Sequence, residues 1–320
     1  MDKAGYLKGI IPVELIQQIR NSAESTLKQV RDDYFPQKTI EDFQKDHIEH
    51  AIPSIVSKII TLRFLDLELM TSLKECVEGQ VSEIYNKSEP SSLLIHPGFY
   101  LRFSWPNKVY AEKKTEPLLD SAPHYDVTFG LPAYTFWVPL VEINDDTGGL
   151  CYFKGDKIFE IFPRPFNKNK YNYETYLKIA PTIDKTLKEG IVWRELELGD
   201  ALTWDSTLLH GATRPKNSVR MSIDFRLVNS SEIKKCSKYV QKIFDEVNKS
   251  FDITRAQNLM IIGDFLGAAR ILEVVSEKTK NSFMNKMAAT MKACRPYPEI
   301  LKKGTNFYWQ DEYKWIAEDC

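Results

Sequence analysis

The chain has 320 residues, 43% of them hydrophobic and 27% charged, and carries a formal net charge of -1. That length supports a large buried core, as one elaborated domain or as a core with appendages. The near-neutral balance gives no mark of nucleic-acid binding, and the cluster Lys154, Lys157, Arg164, Lys168 and Lys170 reads as a solvated loop.

In chain order, the first residues show neither a signal-peptide core nor an Arg-rich transit pattern, so a cytoplasmic protein is expected. Leu15, Ile16, Ile19, Ala23, Leu27 and Val30 recur at helical spacing, as do Leu69, Leu73, Val77, Val81 and Ile84. Such stripes cover a sheet, which predicts a helical region over 1–90 packing on the outside of a core that spans 91–230. His47 and His50 lie among charges and read as surface residues, and His96, before Pro97 and Gly98, as a turn residue. Strands are expected from Gly98 onward, with Tyr100, Arg102 and Ser104 on one face. Arg102 either reaches into a site or forms a salt bridge at its rim.

His124 and Asp126 are two residues apart. In an extended segment they project to the same side, and Tyr125 to the other. The next strand, Tyr134 to Glu142, carries Pro139, which suggests an edge or a bulge. Thr135 and Trp137 share a face of it and either line a cavity or join the core. After the hairpin Asn144–Leu150 comes Cys151, read as a small buried thiol near the pocket. Five scattered cysteines give no disulfide framework. Residues 155–190 form a long, aromatic-rich insertion of the kind that serves as a lid or recognition loop.

The run from Asp200 to His210 reads as one strand, entered from the turn at Gly199 and left through Gly211. In Arg220–Val228 the residues Arg220, Ser222, Asp224 and Arg226 alternate with Met221, Ile223, Phe225 and Leu227, so one face is polar and the other apolar. A buried polar face needs polar company, because an unpaired guanidinium is expensive to bury. From Ile233 on the pattern is helical again, predicting a region over 231–320 that caps the mouth or buries a homodimer surface. Its most apolar stretch, 259–275, is interrupted by Asp264 and Arg270, so no membrane span is expected.

Two histidines and one carboxylate, His124, Asp126 and His210, supply nitrogen and oxygen donors on one side of a metal and leave the other side open. That is the donor set of a non-haem Fe(II) oxygenase. The sequence resembles the Fe(II)/2-oxoglutarate-dependent oxygenases, and among them the phytanoyl-CoA dioxygenase-like branch. The resemblance rests on His124-Tyr-Asp126, the hairpin Asn144-Asp-Asp-Thr-Gly-Gly-Leu150, Gly199-Asp200, Leu209-His210-Gly211 and Asn217-Ser218-x-Arg220.

It implies a mainly β core with flanking helices: a double-stranded β-helix, or jelly roll, with helices before and after it. It also implies Fe(II), 2-oxoglutarate and O2, with His124, Asp126 and His210 on the metal and Arg220 with Ser222 on the distal carboxylate. Thr135 and Arg102 are added as candidates on the cosubstrate side, and Tyr125, Trp137, Cys151 and Arg226 on the substrate side. The expected reaction is hydroxylation of a small molecule, free or carrier-bound. A metal-binding jelly roll without activity, an oxygenase with another cosubstrate, and desaturation or cyclisation are the alternatives.

Overall fold

The computed structural model describes residues 4–47, 55–85, 93–104, 106, 119–124, 126, 131–153, 191–192, 194–206 and 208–293. Tyr125, His50, the whole of the 155–190 insertion, Cys294 and Cys320 therefore lie outside the described residues.

A short strand, β1 (Ala4–Leu7), precedes helices α1 (Val13–Tyr34), α2 (Ile40–His47), α3 (Ile55–Phe64) and α4 (Leu67–Tyr85). The strands that follow are β2 (Leu93–Ile95), β3 (Tyr100–Ser104), β4 (Leu119–His124), β5 (Ala133–Pro139), β6 (Leu150–Phe153), β7 (Ile191–Val192), β8 (Ala201–Asp205), β9 (His210–Thr213) and β10 (Arg220–Asn229). Helices α5 (Ser230–Ile233), α6 (Lys238–Lys249), α7 (Phe251–Ile261), α8 (Phe265–Thr279) and α9 (Ser282–Ala293) complete the described chain. The strands form two antiparallel sheets. One runs β1-β8-β5-β10-β2, with β3 also on β10, and the other runs β4-β9-β6-β7.

Every residue of β10 except the last is buried. Its apolar residues Met221, Ile223, Phe225 and Leu227 belong to the main core with Ile19, Leu27, Ile59, Ile60 and Leu73 of the helices. Phe225 stacks on its register partner Phe136 with ring centroids 5.3 Å apart. On the other face, Trp137 of β5 and Trp204 of β8 meet Leu150 of β6, Ile143 and Leu196 in a second apolar cluster that joins the two sheets. The polar residues of β10 share that inner side.

Three expectations change. The predicted strand from Asp200 to His210 is two strands on different sheets: β8 stops at Asp205, a turn closes from the Leu208 N–H to the Asp205 carbonyl at 3.0 Å, and His210 opens β9. A continuous run of strand-forming residues conceals the crossing. Pro139 does not mark an edge, since β5 lies between β8 and β10. It is tolerated there as the last residue of its strand. The N-terminal region is not wholly helical either, because Ala4–Leu7 pairs with β8 and forms the edge of the larger sheet.

Helices α7 and α8 of the C-terminal region pack against α3 of the N-terminal one. Asp264, which caps α8, accepts two bonds from the Arg63 guanidinium of α3, at 2.7 and 2.6 Å, and one from the Tyr34 hydroxyl. Asp33 of α1 binds both Arg63 and Arg270. Arg255 of α7 donates to the Leu62 carbonyl at 2.7 Å. On α6, Asn248 bridges both backbone groups of Ile95 in β2, at 2.9 and 3.0 Å. Among the described residues, no helix is long and apolar enough to cross a membrane.

Candidate metal centre

Asp126 follows β4 and is 6% exposed. Its Oδ2 accepts hydrogen bonds from Thr135 Oγ1 at 2.9 Å and Trp204 Nε1 at 3.1 Å, and its Oδ1 accepts from Arg226 Nη2 at 2.5 Å. The three donors come from neighbouring strands and stand in one row, because Arg226 of β10 pairs with Thr135 of β5, which pairs with Trp204 of β8. A one-residue register slip would turn a donor to the opposite face, so the sheet itself orients the carboxylate. A carboxylate offers about four lone-pair directions, and three donors leave room for a cation.

His210 Nε2 lies 3.6 Å from Asp126 Oδ2. On the opposite side of the ring, Nδ1 is 3.1 Å from the Leu208 carbonyl. A carbonyl can only accept, so Nδ1 is the donor in this contact and Nε2 is the ring nitrogen directed toward Asp126. Two atoms each about 2.1 Å from one metal lie up to about 4.2 Å apart, so the pair fits a shared ion. Trp204 flanks the imidazole at 4.7 Å between centroids. His124 is the backbone register partner of His210 across β4 and β9. Its side chain is outside the described residues, which contain no group of three candidate ligands.

Arg220, 2% exposed, starts β10. Its Nη1 donates to the carbonyls of Thr213, at 2.7 Å, and Thr147, at 3.2 Å, and its Nη2 to Ser104 Oγ at 2.9 Å. These acceptors orient the guanidinium and are neutral. Thr213 ends the strand that His210 begins, which sets Arg220 roughly 10 Å along β9 from that histidine. Ser222, 1% exposed, is the next residue on the same face.

The hairpin that supplies the Thr147 carbonyl is tightly built. Thr147 Oγ1 donates to the Glu142 carbonyl, Gly148 N–H to the Asn144 carbonyl, and Gly149 N–H to Thr213 Oγ1. Gly148 has φ +59°, and a Cβ there would meet the carbonyl oxygens of Thr213 and Arg214 at 2.9 Å.

The remaining predicted residues fall as follows. Thr135 and Arg226, expected on the cosubstrate and substrate sides, are both bonded to Asp126. Arg102 pairs with Asp224 at 2.8 Å, the salt-bridge alternative. Trp137 is packed in the inter-sheet apolar cluster. Cys151 is fully buried, and burial pushes its thiol up to about 12, so it stays protonated. His96 is buried too, with Nδ1 accepting from Gly98 N–H at 2.8 Å and its ring edge-on to Phe244. Burial, and next the Arg226 charge, hold it well below the usual histidine range. Sequence reasoning missed Trp204, whose position in an apolar strand marks it as core, while its N–H belongs to the site.

The two antiparallel sheets thus bring an aspartate and a histidine together, with a buried arginine at the start of β10. Residues 77–221 match the family described as Phytanoyl-CoA dioxygenase (PhyH), a stretch that includes His124, Asp126, His210 and Arg220. No curated protein matches the chain. Among solved structures, it is similar to the non-heme alpha ketoglutarate dependent epimerase SnoN from nogalamycin biosynthesis (14% identity, 71% of this chain and 78% of that one, TM-score 0.42). The carbocyclase SnoK from the same biosynthesis gives 14% identity over 71% and 79% of the chains, with TM-score 0.44. AviO1 from Streptomyces viridochromogenes Tue57 gives 15% over 72% and 92%, with TM-score 0.44.

Proposed function

We propose that the chain is a non-haem Fe(II)- and 2-oxoglutarate-dependent dioxygenase that hydroxylates a small molecule, with its two sheets forming a double-stranded β-helix. The observation that carries this reading is the Asp126–His210 pair: a carboxylate oxygen and an imidazole nitrogen 3.6 Å apart, each held from behind. His124, Asp126 and His210 would hold the iron, and Arg220 with Ser222 the distal carboxylate of 2-oxoglutarate. Bound iron and cosubstrate supply O2 activation coupled to oxidative decarboxylation to succinate and CO2, which is the oxidising power the side chains lack.

The protein's own part is positional. The donor row fixes Asp126, the Leu208 carbonyl orients the His210 ring, and the Thr147 and Thr213 carbonyls orient the Arg220 guanidinium through Nη1. The Trp137, Trp204 and Leu150 cluster lines the space between the sheets with apolar side chains. As a ligand, Asp126 would fill the metal position that a halide would need, which favours hydroxylation.

Anaerobic titration of the Fe(II)-loaded protein with 2-oxoglutarate tests this. A weak visible charge-transfer band is expected. It should vanish in His210→Ala and require about a hundredfold more cosubstrate in Arg220→Ala, from loss of a charge-assisted contact. Bound iron without a band would reject the cosubstrate and bring forward the inactive metal-binding protein or another iron oxygenase.

A further inference from the structure

Asp224 stands midway along the inner face of β10, and its side chain is 7% exposed. Oδ2 accepts from Arg102 Nε at 2.8 Å, whereas Oδ1 is buried with no hydrogen-bond partner. One same-face step away, Arg226 has its Nη2 on Asp126 and its Nη1 on the Gly98 carbonyl, at 3.3 Å, and its Nε is also buried without a partner. Tyr100 borders both. It is the register partner of Asp224 on β3, and its ring centroid lies 5.3 Å from Arg102 Cζ and 5.6 Å from Arg226 Cζ.

An acceptor and a donor, both buried and both unsatisfied, thus belong to residues whose backbones are about 7 Å apart along one strand. Folded chains leave few such groups unexplained. Charge is not what they lack, because Arg102 already meets Asp224 and Asp126 meets Arg226. The missing partner is a neutral group that donates at one end and accepts at the other, which is the chemistry of hydroxyls.

We propose that Asp224 and Arg226, beside Tyr100, form a subsite for an uncharged, hydroxyl-bearing substrate, a vicinal diol supplying a donor for Asp224 Oδ1 and an acceptor for Arg226 Nε. The proposal rests on the oxygenase reading only in taking the ligand to be the substrate. It predicts that hydroxylated compounds bind in preference to their ethers, and that charged analogues gain nothing at this wall.

The test uses the full chain loaded with Zn(II) and 2-oxoglutarate, with myo-inositol and glycerol as probes and their O-methyl ethers as controls, read by indole N–H resonances. Trp137 is the register partner of Asp224, and the Trp204 N–H bonds Asp126, so one spectrum reports both places. The expected result is a saturable shift of Trp137 with the polyols and none with the ethers. Binding should weaken tenfold or more in Asp224→Asn, and in Asp224→Leu/Arg102→Leu, which removes the ion pair whole and so protects the fold.

No response to either polyol, an equal response to the ethers, unchanged affinity in the variants, or an ordered water that stays across the two atoms at saturating probe would each overturn the subsite. Failure of Trp204 to respond to Zn(II), with the Trp137 response intact, would sink the metal-centre reading and leave the subsite standing.

Discussion

At Asp126 a buried carboxylate is met by a guanidinium in the metal-free protein, and a bound cation would duplicate part of that work. Removing Arg226 therefore has a state-dependent effect. Arg226→Met should destabilise the metal-free protein by about 3–5 kcal/mol, because the carboxylate stays buried without its cation. Saturating Zn(II) should shrink that gap, as read by urea denaturation with and without metal, and a gap indifferent to metal would mean that Asp126 is not a ligand. His96 gives a second residue-level prediction. Its pKa is lowered on folding, so below the unfolded value of about 6.5 the unfolded chain binds the extra proton. Its contribution is therefore fully present above pH 6.5 and falls away below it, by at most about 1.4 kcal/mol per pH unit. His96→Asn keeps an acceptor for Gly98 N–H, and its denaturation midpoint should fall less steeply between pH 7.5 and 5.5 than that of the unmodified protein.

Among the elements, the hairpin between β5 and β6 is where backbone conformation and site geometry meet. Gly148→Ala would force a Cβ into the carbonyls of Thr213 and Arg214 at a φ that alanine resists. Since the Thr213 and Thr147 carbonyls hold Arg220, the half-saturating 2-oxoglutarate concentration should rise about tenfold while Fe(II) affinity changes much less; calorimetric titrations with each would show it. Much at this scale was legible in the sequence. The alternation from Arg220 to Leu227 gave a polar face against an apolar one, and the stripe Ile16, Ile19, Ala23, Leu27 and Val30 is the buried side of α1. Other features were not. The break between β8 and β9 leaves no mark in composition, and β1 is too short to carry a period. That Arg226 reaches Asp126 follows from long-range register, for which a lone strand holds no signal.

For the whole molecule, the sequence suggested helical regions before and after the core, and the structure merges them. Arg63, Asp33, Tyr34, Asp264 and Arg270 tie α1 and α3 to α8, with Asp264 fully shielded in its side chain. Arg63→Met should lower stability by about 3–5 kcal/mol by leaving Asp264 without its cation. Because the tie spans both ends of the chain, the loss should appear in one transition, identical by far-ultraviolet and near-ultraviolet circular dichroism. Separate transitions would show that the two helical regions unfold independently.

The central place of β10 sets a timetable for the nascent chain. The strand that carries Arg220 and Arg226 is flanked by β5 on one side and by β2 and β3 on the other, all synthesised earlier. At about 5–20 residues per second, the ribosome needs roughly 5–18 s to pass from Pro139 to Asn229. Until then β5 and β3 wait with open edges, and β1 waits for β8. Such exposed edges invite pairing with other chains, so the interval before β10 is made is when a nascent chain of this topology is most open to misassociation.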